Sequence, residues 1–416
     1  MLQYLKFLKK FVPMNSLIKL LQKDKRIILG LMSGTSLDGL DMALCEVCGS
    51  GKATRLQVIK YETALYSEEL RKKIKEVFVK TTVDLQKLTI LNVYLGDVFA
   101  EIILKTLKKW QINPQEVDVI ASHGQTVFHA PKRLHKLQNM PNATLQIADI
   151  DHIATKTGIL TIGDFRQKHL ALGGEGAPLA LYGDYFLFSS EEENRILLNI
   201  GGISNFTFLP ANTGASNAFK DIICSDIGAG NTLIDFFTQI YFNKNYDENG
   251  DIARSGKCHY KLLNELLKHP FLAEKMPKTT GQEVFKPTLV ENTLQNLDIQ
   301  TSSKKLSEAD LLCTLTHFTA QSIIKHIKEL PNGNNLTSVS STSTNLTTSV
   351  YVSGGGVHNT FLMDLLKENL PKHKVKNFEV LGVSPDAKEA VLFAVLANER
   401  LFGQNKAWQF GKIALA

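Results

Sequence analysis

Two stretches of this 416-residue chain, RIILGLMSGTSLDGLDMALCEV at 26–47 and NRILLNIGGISNFTFLP at 194–210, are written on one pattern. Each is a β-rich apolar run, a polar turn carrying glycine, and a second β-rich run, which reads as a hairpin. Alternating helix and strand segments follow each hairpin. In the first half, apolar residues at three- and four-residue spacing predict helices in SEELRKKIKEVF and LTILNVYLGDVFAEIILKTLKKW. VDVIASHGQTVFHAP reads as a buried strand ending in a polar loop, and ATLQIADIDHIATKTGILTIGDF as strand end, helix and strand. In the second half, ICSDIGAGNTLIDFFTQIYF reads as strand, turn and helix, with Asn231 or Thr232 as the cap. Helices are expected in YKLLNELLKHPFL, EADLLCTLTHFTAQSIIKHIKEL and DAKEAVLFAVLANERLF, and VYVSGGGVHNTFLMDLLKENL reads as strand, triple glycine, helix. A chain that begins again halfway is constrained to a duplicated α/β architecture, with ligand expected where turns from both halves converge. The expected boundaries are an extension at 1–25, a first half at 26–192 and a second half at 193–416. The Ser/Thr/Asn tract at 332–349 is expected to be a mobile surface loop.

The bulk charge excludes some partners. The net charge is +6, and residues 1–26 account for all of it, with seven basic residues against Asp24. The remaining chain is neutral, so no basic face for nucleic acid is implied. The N-terminal segment is basic and partly amphipathic, interrupted by Lys too often to span a membrane. We read it as an added extension, with Met14 as an alternative start and no stable membrane association. Five scattered cysteines, with no histidine at zinc spacing, imply reduced thiols and a cytoplasmic protein. Cys45 and Cys48 lie in an apolar run and read as strand residues rather than a metal or redox pair.

Three turns, SGTSLDG, NIGGISN and SGGGVHN, offer backbone N–H groups that a phosphate can approach because glycine lacks a side chain. There is no GxxxxGK[ST], which excludes a P-loop, and no GxGxxG at a first strand–helix junction. His123 and Gln125 in SHGQT stand at the end of a buried strand.

Eight motifs occur in order: GLMSGTSLDGLDMAL, ASHGQTVFHAP, GDFR…ALGGEGAPL, LLNIGGISNFTFLP, DIGAGN, KTTGQEVF, VSGGGVHN and PDAKEAVLFAVLAN. Together they resemble the anhydro-N-acetylmuramic acid kinase family from residue 27 almost to the C-terminus. The resemblance implies the actin, Hsp70 and sugar-kinase fold: two halves, each a mixed sheet flanked by helices, with an ATP cleft between them. It implies that ATP and water convert 1,6-anhydro-N-acetylmuramic acid to N-acetylmuramic acid 6-phosphate and ADP, in cell-wall recycling. A homodimer is compatible with it. Carried over by residue, Gly34, Thr35, Ser36, Leu37, Asp38, Gly39, Leu40 and Asp41 form the ATP-phosphate segment. Asn199, Gly201 and Gly202 form its mirror, and Gly354, Gly355 and Gly356 lie against adenosine. Asp226 is the candidate for a Mg²⁺-bound water. His123, Gln125, Gln146, Asp149, Asp164 and Arg166 are the sugar-site candidates, although Ala148 stands where the family has glycine.

One departure matters for chemistry. Where the family pattern has an aspartate that activates water, this chain has His169, and Glu175 replaces the usual glutamine. A neutral imidazole accepts a proton at pH 7. Glu175 is expected either to orient His169 or to be the base with His169 as its partner. Two other functions stay open on the residues: phosphorylation of a related amino sugar without ring opening, and a non-catalytic ATP-binding regulator.

Overall fold

The computed structural model describes residues 14–177, 179–211, 221–281, 284–299, 306–330, 346–405 and 409–416. The N-terminal 13 residues and most of the 332–349 tract lie outside them. The chain forms two compact units, Met1–Leu187 with Gly382–Ala416, and Phe188–Leu381.

In the first unit the expected hairpin is β1 (Lys25–Ser33) paired antiparallel with β2 (Gly39–Cys48), and β3 (Arg55–Leu65) extends it. β4 (Val119–Ala130) joins β1 in parallel, β6 (Thr161–Gly163) joins β4 in parallel, and β5 (Ala143–Ile147) pairs antiparallel with the outer part of β4. β1 is buried along most of its length, as its unbroken apolar run requires when both sheet faces are covered. On one face packs the helix Leu85–Lys109, started by Asp84 accepting from Lys87 N–H; its Leu91, Leu95, Phe99, Ile103 and Leu107 enter the core. Cys45 and Cys48, an odd number of residues apart on β2, project to opposite faces, and both are free thiols.

The second unit repeats this plan. β7 (Glu193–Ile200), β8 (Ile203–Leu209) and β9 (Ile223–Ala229) form an antiparallel meander. β10 (Thr347–Ser353) pairs in parallel with β7, and β11 (His373–Asn377) in parallel with β10. The order β9-β8-β7-β10-β11 thus mirrors β3-β2-β1-β4-β6. The helix Glu308–Glu329, opened by a capping box of Ser307 and Asp310, supplies much of this core. The Ser/Thr/Asn tract ends sooner than expected, because Thr347–Ser349 already belong to β10.

The boundary reading needs one correction. Residues 382–416 return to the first unit, although they follow the second in sequence. The helix Lys388–Phe402 packs against β1 so tightly that a Cβ on Gly30 would lie 1.9 Å from the Ala390 carbonyl oxygen. The closing strand β12 (Lys412–Ala414) pairs with β6. The unbroken apolar run at 390–397 of this helix carries no sequence mark of which sheet it will cover.

Candidate active site

In the second unit the turns of NIGGISN, DIGAGN and SGGGVHN meet. Gly230 N–H donates to the Gly202 carbonyl at 2.9 Å and Asn231 N–H to that of Gly201 at 2.8 Å. The Asn231 amide reaches Ile200 O at 3.3 Å, and Thr232 Oγ1 donates to Gly202 O at 2.9 Å. Neither side chain caps its own helix, Thr232–Phe242; both are used to tie the β7–β8 turn to the end of β9. Gly354, at φ 81°, brings the third motif in, and a Cβ there would stand 2.6 Å from Ile200 O. A Cβ on Gly356 would strike Ile200 likewise, whereas Gly355 and Gly201 have room. Packing therefore demands Gly354 and Gly356, while Gly201 and Gly355 are free of any packing demand and leave space over the turn. A cavity of about 430 Å³ adjoins Gly355 and Asn231.

Asp226 is half-buried on β9, and its Oδ2 accepts from Thr280 N–H at 2.8 Å. Burial raises its pKa, and no cation pairs with it among the described residues. A Mg²⁺ held by ATP phosphates takes one or two carboxylates, commonly through water. A lone half-buried carboxylate fits that role, although no cluster of three or more metal-ligating side chains occurs among the described residues.

In the first unit the 34–41 segment is a turn and the start of β2. Leu37 takes φ 60° with its side chain buried, which pins the turn while Thr35, Ser36 and Asp38 stay exposed. Gly34 has open space at its Cβ position, with Ser36 Oγ 3.8 Å away. Gly39 is needed for packing, since a Cβ would meet Ala64 O at 2.5 Å. Asp41 accepts from Tyr61 at 3.2 Å and Thr63 at 2.5 Å.

Gln125 is a correction. It is wholly buried, bonded to Ser33 Oγ at 2.5 Å, and its amide donates to the Gly34 and Thr126 carbonyls at 3.3 and 3.0 Å. It bolts the turn to β4 and has nothing left for a sugar.

Four other sugar candidates line one cavity of about 370 Å³: His123, Gln146, Asp149 and Asp164, together with Asn92 and Lys412. Gln146 donates to Thr126 and Thr144, leaving Oε1 buried and unpartnered. Asp149 caps the helix Ile150–Thr157 through Asp151 N–H at 3.0 Å. Ala148, in the glycine position, is forced to φ 91°. Asp164, at φ 53°, is ion-paired with Lys412.

Arg166 Nε donates to His123 Nε2 at 3.0 Å, and Nη1 to Gly176 O at 2.8 Å. Because Arg can only donate, His123 carries its proton on Nδ1, a buried donor without a partner. Burial, with the Arg166 charge beside it, pushes the His123 imidazole down to about 3. Burial also lowers Arg166, and no carboxylate forms an ion pair with it among the described residues. Glu389 acts on it from a distance. That carboxyl keeps solvent contact but sits amid enough protein that desolvation raises its pKa, with Asp41 adding to the rise. Glu389 was missed in sequence although PDAKEAVLFAVLAN was noted; with an acid inside an apolar helical motif, only the fold reveals its neighbours.

His169 lies on the helix Phe165–Ala171, half-buried, with its ring edge-on to Tyr182 and Phe410 at 6.1 and 6.2 Å. It covers Gly174, whose Cβ would fall 2.3 Å from Nε2, and its Nδ1 is buried without a partner. Burial and then Arg166 lower its pKa, partly offset by Glu175. Glu175 does not bond to it. The carboxylate pairs instead with Arg133 at 3.2 Å, so the expected orienting contact or dyad is not formed.

A profile of the family described as "Anhydro-N-acetylmuramic acid kinase" matches residues 26–406. The chain belongs to that family. A kinase of this description from Pseudoalteromonas translucida is 50% identical over 388 residues, covering 92% of this chain and 91% of the relative. One from Caldanaerobacter subterraneus is 38% identical, covering 94% of both. Among solved structures, an activator of 2-hydroxyisocaproyl-CoA dehydratase from Clostridium difficile with bound ADPNP aligns with TM-score 0.39 at 12% identity, over 90% of this chain and 95% of that one. Membership of the anhydro-N-acetylmuramic acid kinase family makes the chain a sugar kinase that uses ATP. No helix among the described residues is long and apolar enough to cross a membrane.

Proposed function

We propose that this kinase opens 1,6-anhydro-N-acetylmuramic acid with water and phosphorylates O6, yielding N-acetylmuramic acid 6-phosphate and ADP in cell-wall recycling. Arg166 carries the reading. It is a half-buried guanidinium without an ion-pair partner among the described residues, bonded to His123, which lines a polar cavity of about 370 Å³. Such a charge calls for an anion, and the lactyl carboxylate of a muramic acid supplies one. His123, neutral, fixes the guanidinium through Nε2, while Gln146, Asp149 and Asp164 face the sugar's polar groups.

His169 is the base in this scheme. Its depressed pKa keeps it neutral at pH 7, so Nε2 takes a proton as water attacks C1. The C1–O6 bond breaks, and O6 receives the γ-phosphoryl group. Donors of the 34–41 segment, Asn199 and Gly202 hold phosphate oxygens, while Gly201, whose own N–H is spent on Ile203 O at 3.2 Å, keeps the turn open to their approach. Asp226 would hold Mg²⁺ through water, and the ion would neutralise phosphate charge. We place the enzyme in the cytoplasm, as a homodimer.

A second reading, phosphorylation of a related amino sugar without ring opening, is favoured by the absence of an orienting partner on His169 Nδ1. Turnover in ¹⁸O-water decides between them. Label at the product's C1 hydroxyl is expected. Phosphorylated product without label selects the second reading, and no sugar-stimulated ATP turnover selects a non-catalytic regulator.

A further inference from the structure

The cavity beside the triple glycine turn is lined by a half-buried acid whose chemistry is unfinished. Asp247 spends both oxygens on the backbone N–H groups of Ile252 and Ala253, each at 2.9 Å. Asn359 Oδ1 caps Leu362 at 2.9 Å, and the Asn231 amide is on Ile200 O. Asp235 lines the same cavity from the first turn of the helix Thr232–Phe242. Its carboxylate is half-buried and receives no hydrogen bond among the described residues. Tyr246, 58% exposed, adds an aromatic face to the rim.

A half-buried carboxylate that accepts no hydrogen bond from the protein is poorly satisfied until a ligand brings donors. Burial, with Asp247 nearby, pushes Asp235 up to about 6, in line with that deficit. The cavity excludes an anion, since Asp247 and Glu248 line it as well. The ligand portion here is neutral and rich in donors, and it must connect to a phosphate chain at the glycine turns next door. A ribose meets both conditions, because its two adjacent hydroxyls can donate to one carboxylate in parallel.

We propose that Asp235 recognises the vicinal ribose hydroxyls of the nucleotide and sets the kinase's preference for ribonucleotides over deoxyribonucleotides. This rests on the ATP-dependent kinase reading. The test is calorimetric binding of ADP, 2′-deoxy-ADP and 3′-deoxy-ADP to the full chain at pH 8, without sugar. The wild type should bind each deoxy analogue roughly tenfold to a hundredfold more weakly than ADP, the loss expected for a hydrogen bond to a charged group. Asp235→Ala should bind all three alike, near the affinity of the wild type for the deoxy forms. Asp235→Asn, which keeps one acceptor oxygen, should retain part of the discrimination. Equal binding of the three by the wild type, or discrimination surviving in Asp235→Ala, overturns the assignment while leaving the kinase reading in place. Failure of the wild type to bind ADP at all overturns both.

Discussion

His123 gives the sharpest quantitative test, because its environment ties stability to pH. Its folded pKa of about 3 lies far below the ordinary 6.5. A depressed imidazole pKa means that the unfolded chain binds the proton first, so stability is complete above pH 6.5 and declines as pH falls toward 3. Between pH 7.5 and 5 the unfolded state gains about 2 kcal/mol from protonating this one residue, taken as RT ln(1 + 10^(6.5−pH)). His123→Gln removes the titration while Oε1 replaces Nε2 as the acceptor for Arg166. Both tryptophans of the chain fall in the sequence of the first unit, so fluorescence-monitored urea unfolding reports on the unit that holds His123. The wild type should lose about 2 kcal/mol more than His123→Gln between those two pH values. Equal losses in the two proteins would refute the account of a buried neutral imidazole. The functional corollary is that a proton on His123 would abolish the acceptor that positions Arg166.

Other tests follow from the same geometry. His169→Ala should lower kcat on the anhydro sugar by on the order of 10²–10⁴, and the acid limb of wild-type kcat/KM should fall below pH 6.5, since burial depresses the imidazole; wild-type rates in His169→Ala would remove it as the base. Glu175→Gln should be mild, because that carboxylate engages Arg133. Gly34→Val and Gly201→Val should abolish ATP turnover with unchanged unfolding curves, whereas Gly30→Ala, with its Cβ 1.9 Å from Ala390 O, should fail to fold. Ala148→Gly should raise stability by roughly 0.5–1 kcal/mol by relieving a left-handed alanine, offset by glycine's entropy, and a lower urea midpoint would refute that.

The turns proposed to bind phosphate through backbone were legible in the sequence. Hairpin runs, glycine turns and the repeat of one plan are local features, fixed by residues within a few positions of each other. Gly34, Gly201 and Gly355 belong to this class, since their availability depends on small size and on a turn that the chain forms nearby. Side-chain partnerships were not legible. Gln125 and His123 sit two residues apart on one strand, yet one is consumed in holding the β1–β2 turn and the other anchors Arg166. Glu175 was placed beside His169 by sequence distance, and the fold gave it Arg133 instead, 42 residues away. The return of 382–416 to the first unit brought Lys412 to Asp164 and Glu389 near Arg166, pairings separated by more than 200 positions. Asp235 is by sequence only an acid in a helix's first turn, and its place in a cavity comes from the fold. Backbone geometry is set by neighbours in the chain, but the donors and acceptors left unpaired are set by which distant elements pack together, and those unpaired groups define this site.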